Sequence, residues 1–143
     1  MAQANTIAAL NRLFVIEHRS LPIYLADACP WTHTGDERAI TALEHIIADQ
    51  KEMAVRIAEL VDTRGQNVSY GSFPMEYAEL NLLSLDFLVR EMIHCQCRDI
   101  AAMERIVADL AGDPEARDLA EQVLGAERAH LETLEELTNQ PAS

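Results

Sequence analysis

Apolar side chains recur every three or four positions along most of the chain, which is the spacing of one face of an α-helix. The pattern predicts four long helices, covering about 6–28, 34–64, 82–110 and 114–137. The polar or glycine- and proline-containing stretches between them are short, except for 66–80. We therefore expect one all-α domain that spans residues 1–143.

Glycine, proline and short polar side chains mark the ends of these four segments. Pro22 lies inside the first segment, where its ring would clash with the carbonyl of His18 and kink the helix. A capping box at 34–37 opens the second segment, and Gly65 ends it. Gly112, Asp113 and Pro114 supply a tight turn, an N-cap and a first helical position for the fourth segment.

A polar residue interrupts the apolar stripe near the middle of each segment. The interruptions are Glu17, Gln50, Gln96 and the pair Glu127 and His130. Glu17 and Gln50 are equidistant from the loop that joins the first two segments, and Gln96 and Glu127 are equidistant from the turn that joins the last two. Residues equidistant from a turn lie side by side in an antiparallel helix pair, so we expect all five in one buried layer.

The composition narrows the class of protein. Hydrophobic residues make up 49% and aromatic residues 5% of the chain, a mixture that favours helices over a β-sandwich or barrel. A net charge of −13 disfavours binding to nucleic acid. With three cysteines, no signal peptide and no apolar run of about 18 residues, we expect a cytoplasmic protein without membrane contact.

Glu127 and His130 form a Glu-x-x-His motif whose two side chains share one helix face, so both can hold one ion. Ferritin-like di-iron carboxylate proteins carry a glutamate on helices one and three and a Glu-x-x-His on helices two and four. Over nearly its whole length the chain resembles this family, near bacterioferritin and rubrerythrin. The resemblance implies a ferritin-like four-helix bundle with a long crossover between helices two and three.

A long crossover constrains the conformation of the segment that joins the second and third helices. A chain that returns along the whole bundle has to be extended, so we expect 66–79 to be largely extended and regular helix to resume near Leu80. A continuous helix from Pro74 would instead indicate a simple up-down-up-down bundle.

The chain departs from the family at half of the expected ligands. Gln50 and Met53 stand where the second Glu-x-x-His is expected, and Gln96 stands where the third helix should carry a carboxylate. Glu91 and His94 form another Glu-x-x-His, but helical geometry turns them away from the stripe. The expected site is therefore incomplete.

Either one Fe, Mn or Zn ion is bound by the remaining residues or no metal is bound. The candidate ligand set is Glu17, Glu127 and His130, with the amides of Gln50 and Gln96 beside them. Without metal, the amides would donate hydrogen bonds to the two carboxylates.

Three functions follow from these observations. The first is a metal-binding ferritin-like protein, the second a non-catalytic dimeric interaction module, and the third a weak metal-dependent oxidase or peroxidase in oxidative-stress defence. We expect no catalysis, and no small-molecule substrate is identifiable. Leu83, Phe87 and Ala101 form a second weakly apolar face on the third segment, which favours a homodimer.

The remaining titratable side chains are predicted to have structural roles. His45, Asp49 and Glu52 lie on one face of the second segment beside its apolar stripe, which favours a solvated face. Cys95 and Cys97 point in different directions on one helix, so they are predicted to be core or interface thiols and not a shared ligand pair.

Overall fold

The computed structural model describes residues 2–28, 37–80 and 85–139, in which every regular element is a helix and no strand occurs. The helices are α1 (Ala2–His18), α2 (Leu21–Ala28), α3 (Glu37–Thr63), a 3₁₀ helix (Met75–Leu80), α4 (Leu85–Asp109) and α5 (Pro114–Asn139). No helix among the described residues combines the length and the apolar character needed to span a membrane. The all-helical class is confirmed.

The first predicted segment is interrupted and not merely kinked. α1 ends at His18 and α2 begins at Leu21. Ser20 caps the second helix, because its Oγ accepts a hydrogen bond from the backbone N–H of Ile23 at 3.3 Å. Pro22 then falls in the first turn of α2, where a helix has no use for the missing N–H. The change of direction predicted at Pro22 is therefore made by a complete helix break.

The other predicted helix ends agree with the structure where it describes them. Gly65 has a φ of +75°, the left-handed conformation that ends α3. Asp113 caps α5, because its Oδ1 accepts a hydrogen bond from the N–H of Ala116 at 3.2 Å. Arg64 pairs with both Asp113 and Glu115 and so joins the end of α3 to the start of α5. Most of the predicted capping box lies in 29–36, outside the described residues.

The apolar core has two parts, one at each end of the bundle. The first part joins α1 and the N-terminal half of α5 to the C-terminal halves of α3 and α4. Its largest fully buried side chains are Leu10, Leu13, Ile57, Met103 and Leu110. The second part joins α2 to the N-terminal halves of α3 and α4 and to Leu134 of α5. Four bundle positions result, with α1 and α2 sharing one of them.

Each long helix has two main neighbours. α1 packs most closely on α3, and α4 on α5; α1 also contacts α4, and α3 also contacts α5. Among the described residues α3 and α4 do not pack as neighbours, so they occupy opposite corners of the bundle. This arrangement places side chains from α1, α3, α4 and α5 around a common axis.

The segment after α3 runs along the outside of α1 and α2. The N–H of Ser69 donates to Asn11 Oδ1 at 2.6 Å, and Arg19 Nε donates to the carbonyl of Tyr70 at 3.1 Å. Further along, the ring of Phe73 lies 5.1 Å from that of Tyr24, centroid to centroid. The contacts thus progress from the middle of α1 into α2, as expected of an extended strap.

Residues 66–74 contain no regular helix, as predicted, but the 3₁₀ helix at 75–80 was not predicted. Its first turn closes with a hydrogen bond from the N–H of Tyr77 to the carbonyl of Pro74 at 3.1 Å. This turn places the Tyr77 side chain in the second part of the core. Regular α-helix resumes at Leu85, and residues 81–84 lie outside the described residues.

Candidate functional site

The five polar residues that interrupt the apolar stripes are all buried in the middle of the bundle. Their exposed fractions range from 0% for Glu17 and Gln50 to 5% for His130. Gln96 faces inward and His94 is exposed, which confirms the predicted orientation of this helix at these two residues, while Glu91 is half-buried. Together with the neighbours described next, these residues are called the polar layer.

The two amides of the polar layer both donate to Glu127. Gln50 Nε2 donates to Glu127 Oε2 at 2.9 Å, and Gln96 Nε2 donates to the Glu127 backbone carbonyl at 2.9 Å. The Gln50 amide is oriented by Ser20, whose hydroxyl donates to Gln50 Oε1 at 2.6 Å. Sequence reasoning missed Ser20, although a serine two residues before a proline is a recognisable N-cap signal.

His130 is held between two carboxylates. Its Nδ1 contacts Glu127 Oε1, and its Nε2 lies 2.8 Å from Asp49 Oδ2. Burial alone would lower the pKa of His130, but the hydrogen bonds and charges of Glu127 and Asp49 outweigh burial and raise it. Burial alone would raise the pKa of Glu127, but the hydrogen bond and charge of His130, together with the Gln50 amide, lower it. Both shifts favour an imidazolium paired with a carboxylate.

The prediction of a solvated face on the second segment is wrong for Asp49. His45 and Glu52 are exposed, but the Asp49 side chain is only 25% exposed and bonds to His130. Asp49 lies beside the apolar stripe of α3. It has a buried partner only because α5 packs on α3 and brings His130 close to it. That approach is a tertiary contact, which the periodicity of one helix does not predict.

Glu17 differs from the rest of the polar layer. Both of its carboxyl oxygens are completely buried, and neither accepts a hydrogen bond from any described residue. Burial raises the pKa of Glu17 well above its ordinary value, and the negative charge of Glu127 raises it further. In the absence of a cation Glu17 therefore carries a proton, which it can donate to the Glu127 carboxylate.

Asp99 is a further acidic member of the layer that the sequence did not single out. It follows Gln96 by three positions on α4 and is half-buried. Burial raises its pKa to about 6; the charge of Arg98 opposes this and that of Glu127 adds to it. The layer thus contains four carboxyl groups, those of Glu17, Asp49, Asp99 and Glu127, and one imidazole.

Only part of this layer fits a metal ion as it is arranged. Among the described residues, no three His, Cys, Asp or Glu side chains are placed to hold one ion. His130 offers no free nitrogen, because both ring nitrogens face carboxylates. The unpartnered carboxyl of Glu17, beside the charge of Glu127, does fit a cation, since carboxylate oxygens are ligands for divalent ions.

The raised pKa of Asp99 gives the stability of the metal-free protein a defined pH dependence. Between the ordinary value of 3.8 and about 6, the unfolded chain releases the Asp99 proton while the folded protein keeps it. The stability that Asp99 contributes is therefore lost as the pH rises through this window. We expect this loss to be about 2 kcal/mol smaller in Asp99→Asn than in the unsubstituted protein.

Urea unfolding between pH 4 and pH 7 in the presence of a chelator measures this difference. Asp118→Asn is the matched control, since Asp118 is exposed on α5. An equal fall in stability for Asp99→Asn and the unsubstituted protein would contradict the assignment of Asp99 to the layer.

The two cysteines of α4 have different surroundings. Cys95 is buried in the second part of the core, as predicted, and burial raises the pKa of its thiol. Cys97 is exposed, which contradicts a place in the core. Their opposite exposure excludes a ligand pair formed by these two residues.

Comparison with known proteins assigns the chain to no family, since no family model and no curated protein matches it. A function for this chain therefore has to be inferred from the chemistry of the polar layer.

Proposed function

We propose that this chain is a ferritin-like four-helix bundle that binds one divalent cation, Fe, Mn or Zn, between Glu17 and Glu127. The observation that carries the proposal is the carboxyl of Glu17, which is completely buried and accepts no hydrogen bond from a described residue. A native protein rarely buries such a group without a proton, water or ion to satisfy it.

The composition of the core supports the ferritin-like topology. The C-terminal halves of α3 and α4 belong to the same part of the core, so the two helices run in the same direction. Their connection then has to return along the full length of the bundle. The extended stretch 66–74, lying along α1 and α2, is suited to such a crossover.

Electrostatics supports a cation in the layer. With every group ionised, four carboxylates and one imidazolium carry a formal charge of −3. Burying that charge destabilises the fold. An apolar side chain in place of Glu17 would give a more stable fold than the ionised glutamate does. A divalent cation would reduce the excess charge and give the Glu17 oxygens a partner.

Each residue of the layer then has a separate role. Glu17 and Glu127 would hold the ion, and Asp99 would contribute charge from α4. His130 and Gln50 would orient the Glu127 carboxylate by hydrogen bonds, as residues behind metal ligands commonly do. The ion would supply one-electron chemistry if it is Fe or Mn, and only structural charge compensation if it is Zn.

The potential ligands in the polar layer suit one ion and not two. Gln50 supplies an amide where a second bridging carboxylate would be needed, and Met53 supplies a thioether in place of an imidazole. Two cations a few ångströms apart require bridging anions between them. We therefore infer no ferroxidase or iron-storage activity.

Metal analysis of protein purified without chelator tests the proposal, followed by titration of the stripped protein with Mn²⁺ in a calorimeter. We expect one ion per chain and the release of about one proton, since Glu17 is protonated when no ion is bound. The released proton makes the measured heat depend on the ionisation enthalpy of the buffer. Two ions per chain would contradict the one-ion proposal.

The alternative is a non-catalytic bundle whose layer is completed by protons alone. The bonding of both His130 nitrogens to carboxylates favours it, because this arrangement needs no metal. Failure to bind Mn²⁺, Fe²⁺ and Zn²⁺ would decide for this alternative.

A further inference from the structure

The outward face of α4 is basic although the chain as a whole is strongly acidic. A stripe at spacings of three and four residues follows this face, and we call it the basic stripe: Phe87, Arg90, His94, Arg98, Ala101 and Arg105. All of these side chains are exposed except the half-buried Ala101, and Phe87 is 43% exposed. No acidic residue lies within the stripe, in a chain of net charge −13.

The outward face of α3 has the opposite character. A stripe of the same spacing, which we call the acidic stripe, contains Glu44, Ala48, Glu52, Val55, Glu59 and Asp62. Each of these residues is exposed, and Val55 is 55% exposed. No basic residue lies within it. Each stripe thus combines one kind of charge with small or apolar side chains.

The charged groups of both stripes form no ion pairs among the described residues. Arg90, Arg98 and Arg105 form no ion pair with a described residue, and neither do the four carboxylates of the acidic stripe. Arginines elsewhere do find partners: Arg12, Arg64, Arg117 and Arg128 each form an ion pair. The three arginines of the basic stripe differ in this respect from these four.

The two stripes cannot satisfy each other within one molecule. α3 and α4 occupy opposite corners of the bundle, so their outward faces point to different sides. A two-fold contact of α4 with α4 would set arginines against arginines, which is unfavourable. The acidic stripe of a second copy has the complementary charge.

The spacing of the charges also matches. Glu44, Glu52 and Glu59 are separated by eight and seven residues, and so are Arg90, Arg98 and Arg105. At 1.5 Å per residue both sets therefore have intervals of about 12 Å and about 10 Å. With the helices parallel, all three pairs are level, and Val55 lies level with Ala101.

We propose that the chain associates with itself head to tail, the basic stripe of one copy packing on the acidic stripe of the next. Each copy keeps one unused stripe, so the association continues to a closed ring or a filament and does not stop at a two-fold dimer. The apolar face around Phe87 and Ala101 that suggested a homodimer then contacts a different face of the partner. This inference does not depend on the metal.

Sedimentation velocity of the full chain over a range of concentrations, at about 0.05 M and about 1 M NaCl, tests the proposal. We expect species larger than a dimer at low salt that dissociate at high salt, because salt screens the contacts between exposed charges. Glu52→Arg and Arg98→Glu should each lower the association constant by roughly tenfold or more, since each sets like charges together.

Mixing the two variants supplies the decisive comparison. Each variant carries the charge that the other requires, so a one-to-one mixture should recover association to within about threefold of the unsubstituted protein. Glu135→Arg and Arg117→Glu change the net charge equally on exposed positions of α5 and should have no effect. Any one of three results would overturn the proposal: a monomer at all concentrations, a dimer as the largest species, or charge-reversal variants whose association is not restored by mixing.

Discussion

Glu17→Gln is expected to stabilise the metal-free protein at pH 7 by about 1–3 kcal/mol, the order of the penalty for an unsatisfied buried polar group, and to abolish metal binding. The stabilisation has a simple origin. The pKa of Glu17 is raised by burial, so the folded protein must keep a proton that the unfolded chain loses above its ordinary value of 4.5. This penalty grows with pH, and a glutamine does not titrate. Its amide can also donate a hydrogen bond to Glu127, as the Glu17 proton does.

Urea unfolding with chelator, at pH 5 and pH 8, measures the first effect, and metal content measures the second. The gain in stability should be larger at pH 8, because more of the penalty is then removed. Glu132→Gln is the matched control on the exposed face of α5 and should leave stability within about 0.5 kcal/mol. A Glu17→Gln protein that is less stable and still holds its ion would refute the role given to Glu17.

His130→Ala is expected to be the most damaging single substitution in the layer, at about 3–5 kcal/mol near neutral pH. The change leaves Glu127 and Asp49 without the cation that now lies between them, and Glu127 is completely buried. A buried carboxylate that loses its charged partner costs far more than the pair contributes when intact. The new cavity adds to the loss.

The same variant separates a ligand from a positioning residue. If His130 only orients Glu127, its loss should weaken Mn²⁺ binding by roughly 10- to 100-fold, and saturating Mn²⁺ should restore part of the stability. Calorimetry and thermal unfolding with and without the ion give both quantities. Complete loss of binding in a folded His130→Ala protein would instead make His130 a direct ligand. His45→Ala, on the exposed face of α3, is the control.

The inner residues of the layer were predictable because each breaks the apolar period of its own helix. Glu17, Gln50 and Glu127 stand where only apolar side chains would otherwise fit, and all are buried. Asp49 and Asp99 were not found because they lie at the edges of those stripes. Whether an edge position is buried depends on the neighbouring helix, which local periodicity does not describe.

Most of the backbone features also separate into those set by local sequence, which were predicted, and those set by tertiary contacts, which were not. The ends of α3 and α5 were predicted from Gly65 and Asp113, whose effects are local. The break before α2 was predicted only as a kink, because Pro22 was interpreted without Ser20, whose hydroxyl caps a new helix. The 3₁₀ helix at 75–80 is too short for a periodic pattern, and its position depends on where Tyr77 finds the core.

The hydrogen bonds of the polar layer can form at two different stages of folding, some within each half of the chain and others only between the halves. α4 and α5 are joined by a four-residue turn, so they can form a helical hairpin early, and the bond from Gln96 to the Glu127 carbonyl lies within it. α1, α2 and α3 form the other half, with the bond from Ser20 to Gln50 inside it. The bonds from Gln50 to Glu127 and from Asp49 to His130 join the two halves and form only when they dock.

Docking is consequently the step at which Glu17 loses water and meets the charge of Glu127. Each half can fold with its carboxylates hydrated, but their union requires a proton or a cation to enter with them. The rate of this last assembly step should therefore slow as the pH rises, while formation of the separate hairpins does not change. The ionisation of one buried carboxyl group would thus control the speed at which the two halves of the bundle come together.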